Sequence, residues 1–184
     1  MVVGSIIARL GSKRLPYKNL LPYRGVPLVR LGVEKLLRCQ CVDVVVVSTE
    51  SELIARTVAD MGVVLLRRPE ELAGDGVPSI PVFQHIVAQH PCEVHVNYNI
   101  NFPQCDPVVI DRAVDLARSL PGGEALSVPY AVWAQTSQCL HDYGDPWNIT
   151  AERFNDDRVT EPDIHTLEDL LENHRTGQPD FGSW

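Results

Sequence analysis

Val2-Val3-Gly4-Ser5-Ile6-Ile7-Ala8 runs without a break into Arg9-Leu10-Gly11-Ser12-Lys13-Arg14-Leu15-Pro16-Tyr17-Lys18-Asn19. An apolar run of this length suits a strand covered on both faces, and the cationic glycine loop leaves it at its carboxyl end. A second such run, Val42-Asp43-Val44-Val45-Val46-Val47-Ser48-Thr49, is dominated by β-branched residues. Further strands are expected over 63–66, 93–97 and 125–129. Helical stretches fall between them at 28–38, 51–61, 79 or 81 to 88, and 107–120, with a last one from Pro162 or Thr166 to His174. Ser51 suits a helix N-cap, and Gly62 a stop. Strands alternating with helices predict an α/β fold: a Rossmann-like, doubly wound, mostly parallel sheet with right-handed crossovers. Such sheets bind ligands outside the carboxyl ends of their strands. The loop 9–19, Thr49-Glu50, Arg67-Arg68 and 99–103 all fall there. Residues 1–175 read as one domain and 176–184 as a loose polar tail, anchored at most by Phe181 and Trp184. The stretch 130–157, with Trp133, Gly144, Pro146 and Trp147, shows no clean period.

The chain has 184 residues, of which 16 are Lys or Arg and 24 are Asp or Glu, a net charge of −8. That balance argues against general nucleic-acid binding, which wants a basic footprint. It leaves room for a small anion held by a local cationic cluster. The run Val44-Val45-Val46-Val47 and its neighbours fall far short of the ~20 apolar residues of a membrane span. The start lacks a basic n-region, so no signal peptide is expected. Five cysteines, with Cys39 and Cys41 spaced C-x-C, suit reduced cytoplasmic thiols rather than a disulfide frame or a zinc site.

In the first loop, Arg9, Lys13, Arg14 and Lys18 surround Gly11 and Ser12. Glycine lets backbone amides approach a ligand, the hydroxyl adds a donor, and the cations supply charge. Together they suit a triphosphate. The spacing matches neither G-x-x-x-x-G-K-[ST] nor G-x-G-x-x-G, so the site is not a P-loop or a dinucleotide fingerprint. The plain alternative is a solvated basic loop. Its place directly after the first buried strand of an acidic chain favours the phosphate reading.

Residues 7–20, Ile-Ala-Arg-Leu-Gly-Ser-Lys-Arg-Leu-Pro-Tyr-Lys-Asn-Leu, resemble the opening motif of the acylneuraminate (CMP-sialic acid) cytidylyltransferases. Val45-Val46-Val47-Ser48-Thr49-Glu50-Ser51 resembles that family's second strand and turn. Arg68-Pro69-Glu70-Glu71-Leu72-Ala73-Gly74-Asp75 resembles its R-P-x-E-L-A-x-D segment, followed by Ser79-Ile80. Asp163-Ile164-His165-Thr166-Leu167-Glu168-Asp169-Leu170 resembles its D-I-D-T-x-E-D-L segment. The resemblance implies a shortened, divergent member that transfers CMP from CTP to a keto-sugar acid and releases pyrophosphate. It implies that Arg9, Lys13 and Lys18 meet the triphosphate, with Arg9 and Lys18 carrying catalysis by stabilising transition-state charge. It further implies that Ser12 and Asn19 orient nucleotide oxygens and that Arg68 and Ser79 face the cytidine, with Asp75 shaping their loop. Asp163 and His165 fall on the family's positions for Mg²⁺ (or Mn²⁺).

The chain departs from the pattern at three places. The family's L-Q-P-T-S-P becomes Tyr98-Asn99-Ile100-Asn101-Phe102-Pro103. Its glutamine falls on Asn99, and a metal-binding aspartate of the related 3-deoxy-manno-octulosonate enzymes falls on Asn101. The second carboxylate of D-I-D becomes His165, a poor ligand for a hard cation. The family's long stretch before D-I-D is reduced to 129–162, which leaves the sugar and the oligomer open, a homodimer among the choices. Two rival readings follow: a nucleotide-binding homologue that has lost turnover, or a cytidylyltransferase for a smaller acid. Plainer roles stand beside the functional ones. Asp163 and His165 could cap a helix, Asn99 and Asn101 could satisfy backbone groups, and Asp142, Asp145, Asp156 and Asp157 could form a solvated acidic loop. Trp133 and Trp147 suit core or interface.

Overall fold

The structure, a computed structural model, describes residues 1–160 and 163–176. The expectations for Pro162, Phe181 and Trp184 lie outside these residues. Strands β1 (Val2–Ile7), β2 (Pro22–Tyr23), β3 (Val26–Pro27), β4 (Val44–Thr49) and β5 (Val64–Arg67) come first in the chain. They are followed by β6 (Val94–Tyr98), β7 (Glu124–Val128), β8 (Val132–Thr136) and β9 (Glu152–Asn155). The helices are α1 (Leu28–Arg38), α2 (Glu52–Val58), α3 (Ser79–Gln89), α4 (Pro107–Ser119), α5 (Ser137–Asp142) and α6 (Leu167–Thr176). Seven strands form one sheet in the order β5-β4-β1-β6-β8-β7-β9, and β2 and β3 form a separate hairpin.

β1 lies at the heart of this sheet, parallel to β4 on one side and to β6 on the other. Its burial on both faces is what its unbroken apolar run requires. One face is covered by α1, α2, α4 and α6, whose Val33, Ile54, Ile110 and Leu170 share a single core with Ile6 and Val47. The other face packs on α3 through Val82, Phe83 and Ile86 and on α5 through Leu140.

The stretch that resisted reading supplies β8, α5 and β9. β8 enters between β6 and β7 and runs antiparallel to both, while β9 is parallel to β7. Trp133 of β8 is core, and its indole N–H donates to Glu124 Oε1 at 2.9 Å. Trp147 is exposed. Asp156 departs from the expected solvated acidic loop, because Arg112 and Arg158 each lie within 2.8 Å of its buried carboxylate. In α4 the inward face holds Val109, Ile110, Ala113 and Val114, while Val108 points outward. Asp106 sets that phase by accepting from the Val108 N–H as the N-cap.

One glycine is forced by packing. A Cβ on Gly32 of α1 would collide with the Ile100 side chain and lie 2.9 Å from Ile6 Cδ1. The glycine therefore lets α1 sit close over β1 and the segment that follows β6.

Candidate active site

The loop after β1 is held in shape by its own residues. The Leu10 N–H donates to Glu50 Oε1 at 2.7 Å, pinning the start of the loop to the end of β4. Asn19 is buried, and its Nδ2 donates to the Arg9 carbonyl at 2.8 Å, tying the two ends together. Tyr17 takes a left-handed conformation at φ 56 to open a single 3₁₀ turn over Lys18–Leu20. This turn aims the Lys18 side chain inward, where its Nζ donates to the Ile164 carbonyl at 3.3 Å.

A cleft of about 260 Å³ opens at the carboxyl ends of the parallel strands. Of the residues expected at the site, Arg9, Ser12, Lys18, Asn19, Arg68, Asp75, Ser79 and Asn99 line it together. A second hollow at its mouth adds Lys13, Arg14 and His165 to Arg9, Ser12 and Lys18. Every cation of the first loop thus faces one connected concavity.

Two of the cations are desolvated. Burial is the main cause that pushes the Lys18 ammonium down to about 8, with Arg14 and Arg9 adding repulsion against a partial offset from Asp163 and Asp169. Arg68 is buried, and burial likewise lowers it to about 10. It donates to the Ser48 carbonyl at 2.6 Å and to Ser48 Oγ at 3.2 Å. The more exposed cations meet one acid: Arg9 ion-pairs with Asp75, and Lys13 Nζ lies 2.6 Å from the same carboxylate.

Asn99 lines the cleft, yet both ends of its amide hold backbone. Nδ2 donates to the Tyr130 carbonyl at 2.9 Å, and Oδ1 accepts from the Asn101 N–H at 3.2 Å. Two lining residues went unnoticed in the sequence. Asn97 of β6 donates to the Ser5 carbonyl at 3.2 Å, and the Tyr130 hydroxyl donates to Asn97 Oδ1 at 2.9 Å. A polar residue inside the apolar run Val94-His95-Val96-Asn97 was the available signal for the first. Tyr130 lies in the stretch without a period and gave none.

The segment 163–165 closes the mouth. The Ile164 N–H donates to the Asn101 carbonyl at 2.8 Å. His165 has both ring nitrogens engaged: Nε2 lies 2.5 Å from Asp163 Oδ2, and Nδ1 lies 2.8 Å from an Arg14 guanidinium nitrogen. Asp169 accepts from the His165 and Thr166 N–H groups at 2.9 and 2.7 Å, capping α6. Among the described residues no group of three or more His, Cys, Asp or Glu is placed to hold a metal ion. Two carboxylates stand near the mouth: Asp75, which lines the hollow beside the neutral Asn101 and pairs with Arg9 and Lys13, and Asp163, which pairs with His165. With Asp75 engaged by two cations, Asp163 is the oxygen donor that fits a hard cation held mainly by substrate phosphates, while the His165 imidazole is a poor ligand for such an ion.

A mostly parallel sheet whose first loop gathers cations at a carboxyl-end cleft defines an α/β protein with a hollow suited to an anion. The family described as Cytidylyltransferase matches residues 3–125, and the chain belongs to it. It is 35% identical over 130 residues to a 3-deoxy-manno-octulosonate cytidylyltransferase of Anaeromyxobacter sp. (strain K), covering 65% of this chain and 52% of the relative. It is 34% identical over 87 residues to an N-acylneuraminate cytidylyltransferase of Escherichia coli O18:K1:H7, covering 47% of this chain and 21% of the relative. The chain spans about half the length, or less, of these curated relatives. A solved CMP:2-keto-3-deoxy-manno-octonic acid synthetase complexed with CTP has the same fold, with a TM-score of 0.76 at 17% identity over 95% of this chain and 97% of that one. Membership in the cytidylyltransferase family therefore stands, while the comparisons do not resolve the acylneuraminate branch from the octulosonate one; the octulosonate relative matches over more of the chain.

Proposed function

We propose that this protein transfers CMP from CTP to the hydroxyl of a keto-sugar acid and releases pyrophosphate. The observation that carries the reading is the convergence of Arg9, Ser12, Lys18, Asn19, Arg68 and Ser79 on one cleft at the carboxyl end of the sheet. The acceptor oxygen attacks the α-phosphorus in line, the bond to the β-phosphate bridging oxygen breaks, and the hydroxyl proton leaves to solvent. Such a step needs positioning and charge neutralisation rather than covalent help from the protein. Arg9, Lys13 and Lys18 take up the charge that builds on departing pyrophosphate, and Lys18, already desolvated, does so most effectively. Ser12 and Asn19 orient oxygens of the nucleotide, Arg68 and Ser79 bound the nucleoside end, and Asn99 fixes the cleft wall. A divalent cation, Mg²⁺ or Mn²⁺, bound by the triphosphate and Asp163 would add further charge neutralisation.

The acceptor is a 3-deoxy-manno-octulosonate-like or acylneuraminate-like acid. The former is favoured by the broader match to the octulosonate relatives. CTP as substrate and five unbridged thiols suit the cytoplasm. The test is pyrophosphate release from CTP, Mg²⁺ and a panel of keto-sugar acids that includes compact ones. A second reading, nucleotide binding without turnover, is favoured by the engagement of His165 with Arg14 and Asp163. CTP binding seen by calorimetry, with silence across the whole acceptor panel, would select it.

A further inference from the structure

Asp75 lies between Gly74 and Gly76 in the loop that leads into α3, and its side chain is 31% exposed. Both of its oxygens are turned into the cationic hollow. Oδ1 accepts from the Arg9 guanidinium, and Oδ2 lies 2.6 Å from Lys13 Nζ. Among the described residues no backbone N–H or helix end shares this carboxylate. It therefore contributes to the loop through those two cations alone. A carboxylate bridging an arginine and a lysine has the charge and oxygen spacing of one edge of a phosphate group.

We propose that Asp75 is an internal phosphate mimic that sets how tightly the cleft holds polyphosphate. A ligand whose phosphate chain reaches Arg9 and Lys13 must first displace Asp75 from them, so its affinity is lowered by a fixed factor. A nucleoside monophosphate too short to reach the pair meets no such competition. After transfer, the same carboxylate returns to Arg9 and Lys13 and speeds the departure of pyrophosphate. This gives Asp75 the opposite sign from that of a nucleotide ligand. The inference rests on the reading that the hollow takes a polyphosphate.

The experiment is titration calorimetry of the full chain with pyrophosphate and, separately, with CMP, at low ionic strength in the presence of a chelator. Asp75→Asn should tighten pyrophosphate binding about three- to tenfold, the scale of a partly exposed ion pair, and leave CMP unchanged. Product inhibition by pyrophosphate should deepen by the same factor. Asp75→Ala is the second variant and should move the same way, with thermal melts confirming that both fold. Glu71→Gln, an equal change of charge at an exposed position of the same loop, should alter neither ligand. Equal or weaker pyrophosphate binding in both Asp75 variants, with the wild type binding well, overturns the mimic and leaves the proposed function standing. Failure of the wild type to bind pyrophosphate or CTP at all removes both.

Discussion

Replacing Lys18 by Met should remove most CTP affinity and yet make the protein harder to unfold. The ammonium sits in a cleft that burial and two neighbouring arginines make hostile to charge, and its hydrogen-bond acceptor is the Ile164 carbonyl. A charge-assisted hydrogen bond to a phosphate oxygen is worth about 1.5–3 kcal/mol, so Lys18→Met should weaken CTP about 10- to 150-fold. The pH dependence has a definite sign. Free Lys18 titrates at about 8, and bound triphosphate favours its charged form. Wild-type affinity should therefore fall as pH rises above 8, approaching about tenfold per unit, until the pKa of the complex is passed. Lys18→Arg keeps its charge throughout and should bind with a flat profile over that window. Stability moves the other way. The folded value of about 8 lies below the ordinary 10.5, so between these pH values the unfolded chain binds more protons, and stability rises with pH. At pH 7 the buried charge opposes folding, and the methionine should unfold at a temperature about 2–4 °C higher. Calorimetric CTP titrations from pH 7 to 9.5, with melts of all three proteins, test both effects. CTP binding by Lys18→Met at wild-type strength, or a flat wild-type profile, would refute the reasoning.

Other perturbations separate packing from chemistry. Gly32→Ala would drive a methyl into Ile100 and Ile6; overpacking of this kind costs about 1–3 kcal/mol, which a melt should read as a loss of about 2–12 °C. Asp156 is held well below the usual carboxylate range, first by hydrogen bonds from Arg158 and then by Arg112. Its contribution is present above the unfolded carboxylate value near ~4 and is lost as pH falls below it. Asp156→Asn should cost about 1–3 kcal/mol at pH 7, discounted for two half-exposed arginines, and should flatten the acid limb of a denaturant-derived stability curve. Asp163→Asn should raise the Mg²⁺ concentration needed for half-maximal pyrophosphate release by about tenfold while leaving CTP binding in chelator unchanged; an unaltered Mg²⁺ titration would take Asp163 out of the metal's coordination.

The parallel half of the sheet was legible because β1 and β4 are buried on both faces, and burial on two sides writes a nearly continuous apolar run, whereas β6 alternates Val94, Val96 and Tyr98 with buried His95 and Asn97. The loop after β1 was legible because four cations around a glycine in an acidic chain need a reason. The stretch 130–157 was not. β8 packs on its neighbours through Val132, Trp133 and Ala134, but Gln135 interrupts the pattern to accept from buried His95 at 3.2 Å, and β9 is an edge strand with one buried residue, Phe154. Asp156 was misjudged because its partners, Arg112 and Arg158, come one from a helix 44 residues away and the other from the next turn. Composition records charge but not who neutralises whom.

That distinction separates the two cationic groups of this molecule. Arg112 and Arg158 close on a carboxylate that is 3% exposed, so their charge is matched inside the fold and their work is structural. Arg68 is buried and Lys18 half-buried, yet among the described residues neither hydrogen-bonds a carboxylate; a carbonyl at 3.3 Å receives Lys18, and Ser48 receives Arg68. Folding gains little from desolvating a cation against neutral acceptors. Such a placement is stabilised when a polyanion arrives from outside, and a low-dielectric wall then strengthens each contact. By this test Arg14 joins them: its partner is His165 Nδ1 and not a carboxylate, and His165 is itself held by Asp163. Arg14 therefore belongs with the ligand-seeking group, and a phosphate chain entering the mouth should draw it away from His165.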